Sequence, residues 1–330
     1  MLPLAGYADR LSVRPGETIA FKVSNATGAP VTARLVRVIS ADPNPDGPGI
    51  REEPLDHSVR VVREPEHYGI ERGSYARIDG GIALAGLSSF TLIATVQPTH
   101  LGRNCSILSL LNAEGRHGVG LGMDEAGRFV GTFVHGEISE RLECPEPASV
   151  RRWYRIWLTY DARTRQAIVG QQPLKTGRPN GPAATAGMEV ELPQPIGARQ
   201  ILISAPGDEH GGLTFDGRIE RPMIFDRVLA ADQIAAAADG QQVPGLVAGW
   251  DFSQDISSTR IIDIGPHGLH GELVNMPTRA VTGSKWTGRE MAWRHAPEEY
   301  AAIHFHEDDI DDCRWPTAYE WTVPKDLRSG

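Results

Sequence analysis

Apolar and polar residues alternate in short runs along much of this chain, the period-two pattern of strands that bury one face. From Thr18 to Ser24, Ile19, Phe21 and Val23 fall on one side. A Pro-Gly turn at Val13 to Glu17 precedes this run, and a turn from Asn25 to Pro30 leads to a second strand, Val31 to Ser40. This is the logic of a hairpin in a small sandwich. The stretch Asp42 to Gly49 carries three prolines and two glycines and cannot be helical.

Beyond residue 65 the pattern strengthens. Phe90 to Pro98 alternates and stops at its proline, and strands are expected at Ser106 to Leu111, Gly118 to Met123, Phe129 to Val134 and Trp153 to Tyr160. More follow at Gln166 to Gly170, Gln200 to Ser204 and Arg218 to Phe225. Lys175 to Gly187 reads as a long Gly/Pro/Ala excursion. Ala231 to Ala238 alone has helical character, with Gly240 just past its end. The pattern predicts an all-β protein: a small sandwich over 1–65, a large sandwich over 66–285, and a connector over 286–330. In that connector, Tyr319 to Pro324 reads as an edge strand with no later segment to pair with it. Unpaired strand backbone is costly, so the expectation is a strand that opens a further domain.

Composition narrows the function classes. The net charge of −9 argues against a nucleic-acid surface, which needs a basic patch. Three widely spaced cysteines, Cys105, Cys144 and Cys313, form neither a disulfide framework nor a Cys-x-x-Cys zinc motif. No leader pattern and no membrane-length apolar run stand out, so a cytoplasmic protein is expected. No Gly-x-Ser-x-Gly, P-loop or dinucleotide fingerprint occurs.

The chemistry concentrates near the C-terminal end. His304, His306, Glu307, Asp308, Asp309, Asp311 and Asp312 place seven titratable side chains within nine residues, followed by Cys313, Arg314 and Trp315. In an extended segment His304, His306 and Asp308 share a face, and two histidines with a carboxylate suit a transition metal. The competing reading is structural: strings of charge are usually solvated or paired, here with Arg294 or Arg314. On that reading His304, His306, Glu307, Asp308, Asp311, Asp312, Arg314 and Trp315 form a junction, and Cys313 is a packed residue. Asp208 to Gly212 is the candidate calcium loop, but it offers few of the six to eight oxygens calcium takes.

Several segments carry a resemblance. Phe90 to Pro98, Trp153 to Asp161, Phe215 to Ile234 and Ala248 to Ser253 resemble parts of laminin G-like, concanavalin-type lectin domains. Over the whole chain the order of parts resembles the large (beta) subunit of the N,N-dimethylformamidase family, in its N-terminal half. The matching segments are Gly6 to Ile19, Asp42 to Gly49 with Glu52 and Glu53, Trp250 to Ser253, Asn275 to Gly283, Phe305 to Trp315 and Thr322 to Pro324. The resemblance implies hydrolysis of N,N-dimethylformamide to formate and dimethylamine. It also implies a mononuclear iron held by two tyrosinates and a glutamate in the catalytic C-terminal half, which is the first partner. A small helical subunit and higher oligomers are implied as well. No position here matches the iron ligands, so no catalytic or metal residue is assigned. Two other readings stay open: a stand-alone lectin-like module that binds sugar or protein, and an independent metalloenzyme built on His304 and His306.

Overall fold

The computed structural model describes residues 2–55, 61–64, 66–81, 83–112, 118–175, 179, 181–205 and 213–327. They form two compact units: residues 72–311, and the segments before 72 and after 311. The Asp208 to Gly212 loop lies outside the described residues.

The larger unit is a sandwich of two mainly antiparallel sheets. In the first, the order across the sheet is Ala184–Glu189, Gln166–Pro173, Tyr154–Asp161, Phe90–Pro98 and Gly217–Phe225. Gly217–Phe225 then pairs with Ala302–Phe305 along its first residues and with Leu246–Asp251 along its last. In the second sheet the order is Ile138–Pro147, Arg128–His135, Gly118–Met123, Cys105–Leu111, Gln200–Ile203, Tyr75–Asp79, Gly271–Val274 and Arg260–Asp263. Leu246–Asp251 also pairs with Arg260–Asp263 and links the two sheets at one margin.

Strand alternation sorts the core. Leu92, Ala94, Val96, Ile156, Leu158 and Tyr160 point between the sheets with Ile107, Leu110, Val119, Leu121, Phe129 and Phe133. The other face of the first sheet is also buried: Ile93, Trp157, Met223 and Phe225 pack under Leu229, Ile234 and Ala237. The helix Ala231–Ala238 supplies that cover. Alanine is the best helix former, the Gln233 side chain accepts the Ala230 N–H at 3.0 Å, and Gly240 follows at φ 91°. The central strands therefore read as near-continuous apolar runs, as expected of strands buried on both faces. Trp250 is fully buried and gives its indole N–H to the Leu269 carbonyl at 2.8 Å.

The smaller unit corrects three expectations. Thr18–Asn25 does not pair with the Val31 segment. It lies between Leu4–Ala8 and Thr317–Thr322 in a three-stranded sheet. Val31 to Ser40 is broken into Val31–Ala33 and Val36–Ala41, which pair with Val61–Arg63 and Ile50–Pro54. The strand expected to stand unpaired near the end is thus paired, with Ile19 opposite Trp321 and Phe21 opposite Tyr319. Likewise residues 286–311 belong to the large unit, where they contribute Ala302–Phe305. Trp315 and Val323 are the buried apolar side chains of the small unit among the described residues.

Candidate functional site

Within the large unit the acidic segment folds back on the end of the first sheet. His304 sits in Ala302–Phe305, opposite Arg218 on one side and Thr278 on the other. The strand ends at Phe305, and the chain turns at Glu307 and Asp308. Asp309 then closes the loop: its carbonyl accepts the Gly73 N–H at 2.9 Å, and its carboxylate accepts the Ser74 hydroxyl at 2.6 Å. Ser74 is fully buried and receives the His306 N–H at 3.1 Å. Its hydroxyl donates to the Asp309 carboxylate and so fastens the loop.

Asp216 is the hub. It lies at the entry to Gly217–Phe225 and is 13% exposed. One carboxylate oxygen accepts the Glu307 N–H at 2.9 Å, and the other lies 3.5 Å from His100 Nδ1 and 3.7 Å from an Arg103 nitrogen. Arg103 also pairs with Glu307. His306 Nδ1 is 3.4 Å from the Asp309 carboxylate. The rings of His304 and His306 lie 3.9 Å apart at 41°, and Thr99 Oγ1 is 3.4 Å from His304 Nε2. Burial, with positive charge at His306 and Arg218, holds the His304 pKa down at about 4. Its imidazole is therefore neutral over most of the physiological range.

The structure separates the residues that the sequence grouped. His304, His306 and Glu307 join the Asp216 cluster. Asp308 is exposed in the turn, and Asp311 is exposed beyond it. Asp312, Arg314 and Trp315 lie in the small unit. There Asp312 accepts the Tyr7 hydroxyl and, at 2.9 Å, the Arg314 N–H. Trp315 gives its indole N–H to Gly69 at 2.6 Å and packs on Tyr7 and Tyr68. Arg103 pairs with Asp216 and Glu307, the charge of Arg314 helps the Tyr7 hydroxyl hold the Asp312 carboxyl down, and Arg294 lies over the Trp293 ring. His100, Arg103, Asp216 and Ser74 carried no signal in the sequence, because they come from segments 90 to more than 200 residues away and meet the cluster only through strand register.

This arrangement has the chemistry of a lock. Three carboxylates are satisfied by arginine, serine, histidine and backbone N–H groups, so each buried charge has a partner. Among the described residues no three His, Cys, Asp or Glu side chains converge into a group that could hold a metal. Burial and then the bond to Asp312 push Tyr7 up to about 12, and the Glu66 carboxylate raises Tyr68. Both environments favour the protonated phenol. The Cys313 thiol is raised by burial and by Asp312.

Comparison with known proteins gives this architecture its relatives. Residues 278–330 match the family model described as N,N-dimethylformamidase beta subunit-like, C-terminal. The beta subunit from Paracoccus aminophilus is 31% identical over 358 residues, covering 99% of this chain and 46% of that protein. This chain is similar to the N,N-dimethylformamidase beta subunit. The N,N-dimethylformamidase beta subunit from Alcaligenes sp matches equally, at 31% over 355 residues, 99% of this chain and 46% of the relative. The chain thus spans just under half the length of the beta subunits it matches. Solved structures with related outlines include the Ruminococcus gnavus IT-sialidase CBM40, at 19% identity and a TM-score of 0.37, covering 52% of this chain and 96% of that one. Mouse laminin alpha1 domains LG4-5 align at 11% identity and a TM-score of 0.34, covering 53% and 44%. Among the described residues no helix is long and apolar enough to cross a membrane.

Proposed function

We propose that this chain is the accessory, β-rich N-terminal half of an amide hydrolase of the N,N-dimethylformamidase kind. The observation that supports this most is the 31% identity running through 99% of the chain, which includes both structural units. A likeness in fold alone would not extend over both. On this reading the substrate is N,N-dimethylformamide and the products are formate and dimethylamine. An iron in the catalytic half would supply Lewis acidity toward the amide carbonyl and an activated water. The residues here would form a shell around that half. The segment that includes His304, His306, Glu307, Asp308, Asp311, Asp312, Arg314 and Trp315 would orient it. A small helical subunit, a higher oligomer and a cytoplasmic location belong to the same reading.

Mass spectrometry of the protein from its source tests this directly. A polypeptide much longer than 330 residues, or a co-purifying catalytic chain, with N,N-dimethylformamide hydrolysis in the same fraction, is the expected result. A chain that ends at Gly330, purifies without a partner and binds glycans would overturn the reading in favour of a lectin-like module. At the proposed junction, Asp311→Ala in the full-length enzyme is expected to lower assembly or melting temperature. Unchanged assembly, melting temperature and activity would remove the junction role.

A further inference from the structure

Arg279, in the stretch Asn275 to Gly283 that carries part of the family resemblance, lies in the short strand Thr278–Val281. That strand pairs with Ala302–Phe305, where Thr278 stands opposite His304. The Arg279 side chain reaches the connection between Leu246–Asp251 and Arg260–Asp263, at the margin that links the two sheets. From Phe252 to Thr259 this connection has neither helix nor strand. Five main-chain carbonyls of residues 252–260 converge on the one guanidinium. Nη1 donates to Asp255 at 3.0 Å, Ser258 at 2.9 Å and Arg260 at 2.7 Å. Nη2 donates to Phe252 at 3.1 Å and Gln254 at 2.9 Å.

The cage is shaped for a cation. Nη1 serves more carbonyls than it has hydrogens, so one hydrogen is shared. Nε is buried with no acceptor among the described residues. No carboxylate among those residues stands within ion-pair distance, and Asp255 acts on the charge from further away. The positive charge is therefore answered by carbonyl oxygens, the donors that hold hard cations, and not by the carboxylate fork that arginine commonly meets. The loop in turn needs the charge. Carbonyls aimed at one point repel one another, and packed away from water they must find donors. Asp255 is also held at φ 49°, a left-handed conformation that residues with a side chain seldom adopt. The loop's own backbone bonds are short-range, such as the Gln254 N–H to Asp251 at 3.2 Å and the Ser258 N–H to Asp255 at 3.1 Å.

We propose that residues 252–260 form a cation-binding loop whose cation the chain itself supplies: the Arg279 guanidinium fills a carbonyl cage, and a free guanidinium ion is the ligand the cage takes once that side chain is removed. A planar guanidinium spreads its donors over the ring of carbonyls, whereas a lysine ammonium is a compact point charge and cannot span them. The filled cage ties the strand beside His304 to the margin of the sandwich. The proposal is independent of the amidase reading, because every residue it uses lies in the large unit.

Arg279→Ala in the full chain empties the cage. Hydrogen exchange of the peptide spanning residues 252–260, read by mass spectrometry, is expected to quicken about tenfold or more. The melting temperature is expected to fall by roughly 5 °C. Guanidinium chloride at millimolar, non-denaturing concentration is expected to slow that exchange and recover much of the melting temperature, because the empty cage binds it. Sodium chloride at the same ionic strength is expected to do neither, and the wild-type chain to respond to neither salt. Arg279→Lys keeps a charge in the cage with fewer donors, so its exchange is expected to be intermediate and indifferent to guanidinium. Wild-type exchange in Arg279→Ala would overturn the proposal. So would rescue by sodium chloride as good as that by guanidinium. If Arg279→Ala does not fold, Arg279→Lys decides: exchange equal to wild type would show that the cage has no preference for a guanidinium, and would overturn the proposal.

Discussion

Two buried titratable residues give the protein opposite pH responses. His304 is held at about 4, against an ordinary histidine value of 6.5, first by burial and then by His306 and Arg218, with Asp216 and Asp309 opposing. Between those values the unfolded chain binds more protons than the folded one, so stability is full above 6.5 and falls as pH drops toward 4. His304→Gln is expected to flatten that acid limb, read as the denaturant midpoint from pH 7 to 4.5; the same slope in both proteins would refute it. Glu220 goes the other way. Burial raises its carboxyl above the usual 4.5, although Ser284, Lys285 and Arg221 act to lower it. The folded state then holds the proton more tightly. Its contribution is present below 4.5 and is lost as pH rises through the folded value. Glu220→Gln keeps an acceptor for the Ser284 N–H and removes the titration. A higher melting temperature than wild type at pH 8, with little gain at pH 4, is the expected outcome; an equal shift at both would count against it.

At the scale of elements, close packing decides tolerance. Gly170, in Gln166–Pro173, lies under the Trp157 ring: an added Cβ would meet ring carbons at 2.1 Å. Trp157 is itself wedged between the sheet and the helix. Gly170→Ala is therefore expected to cost about 1–3 kcal/mol by overpacking, measured by chemical denaturation. A smaller residue at 157 should relieve part of it in the double variant. The sheet's central strands and its helix were legible because the apolar runs of Phe90–Pro98 and Tyr154–Asp161 and the alanines of Ala231–Ala238 are strong local signals. Ile138–Pro147 was not, since it keeps most side chains exposed, and Ala184–Glu189 was not, since it alternates with small side chains and begins inside the stretch that reads as a Gly/Pro/Ala excursion. Val31 to Ser40 looked continuous because its composition suits a strand throughout, while the observed break reflects two different partners.

At the scale of the molecule, the small unit depends on the last strand. Thr317–Thr322 forms one side of the three-stranded sheet, with Phe21 and Tyr319 stacked 6.3 Å apart and Val323 exchanging backbone bonds with Gly16 and Glu17. A chain ending after Asp311 is expected to keep the large sandwich and lose this sheet. Limited proteolysis checks this: a resistant fragment over residues 72–311 with the first 71 residues digested is expected, and full protection of residues 1–71 would contradict it. The sequence by itself determined the β class, the strongest core strands, the helix Ala231–Ala238 and the chemical character of the acidic segment. These follow from local periodicity, propensity and charge. Only the tertiary structure decided that Thr317–Thr322 pairs with Thr18–Asn25 across almost the whole chain, and that Asp216, Arg103, His100 and Ser74 meet His306 and Asp309. It also gathered five carbonyls of residues 252–260 around the Arg279 side chain. Backbone hydrogen bonds between strands carry no sequence label, and long-range register is set by which faces can be buried together.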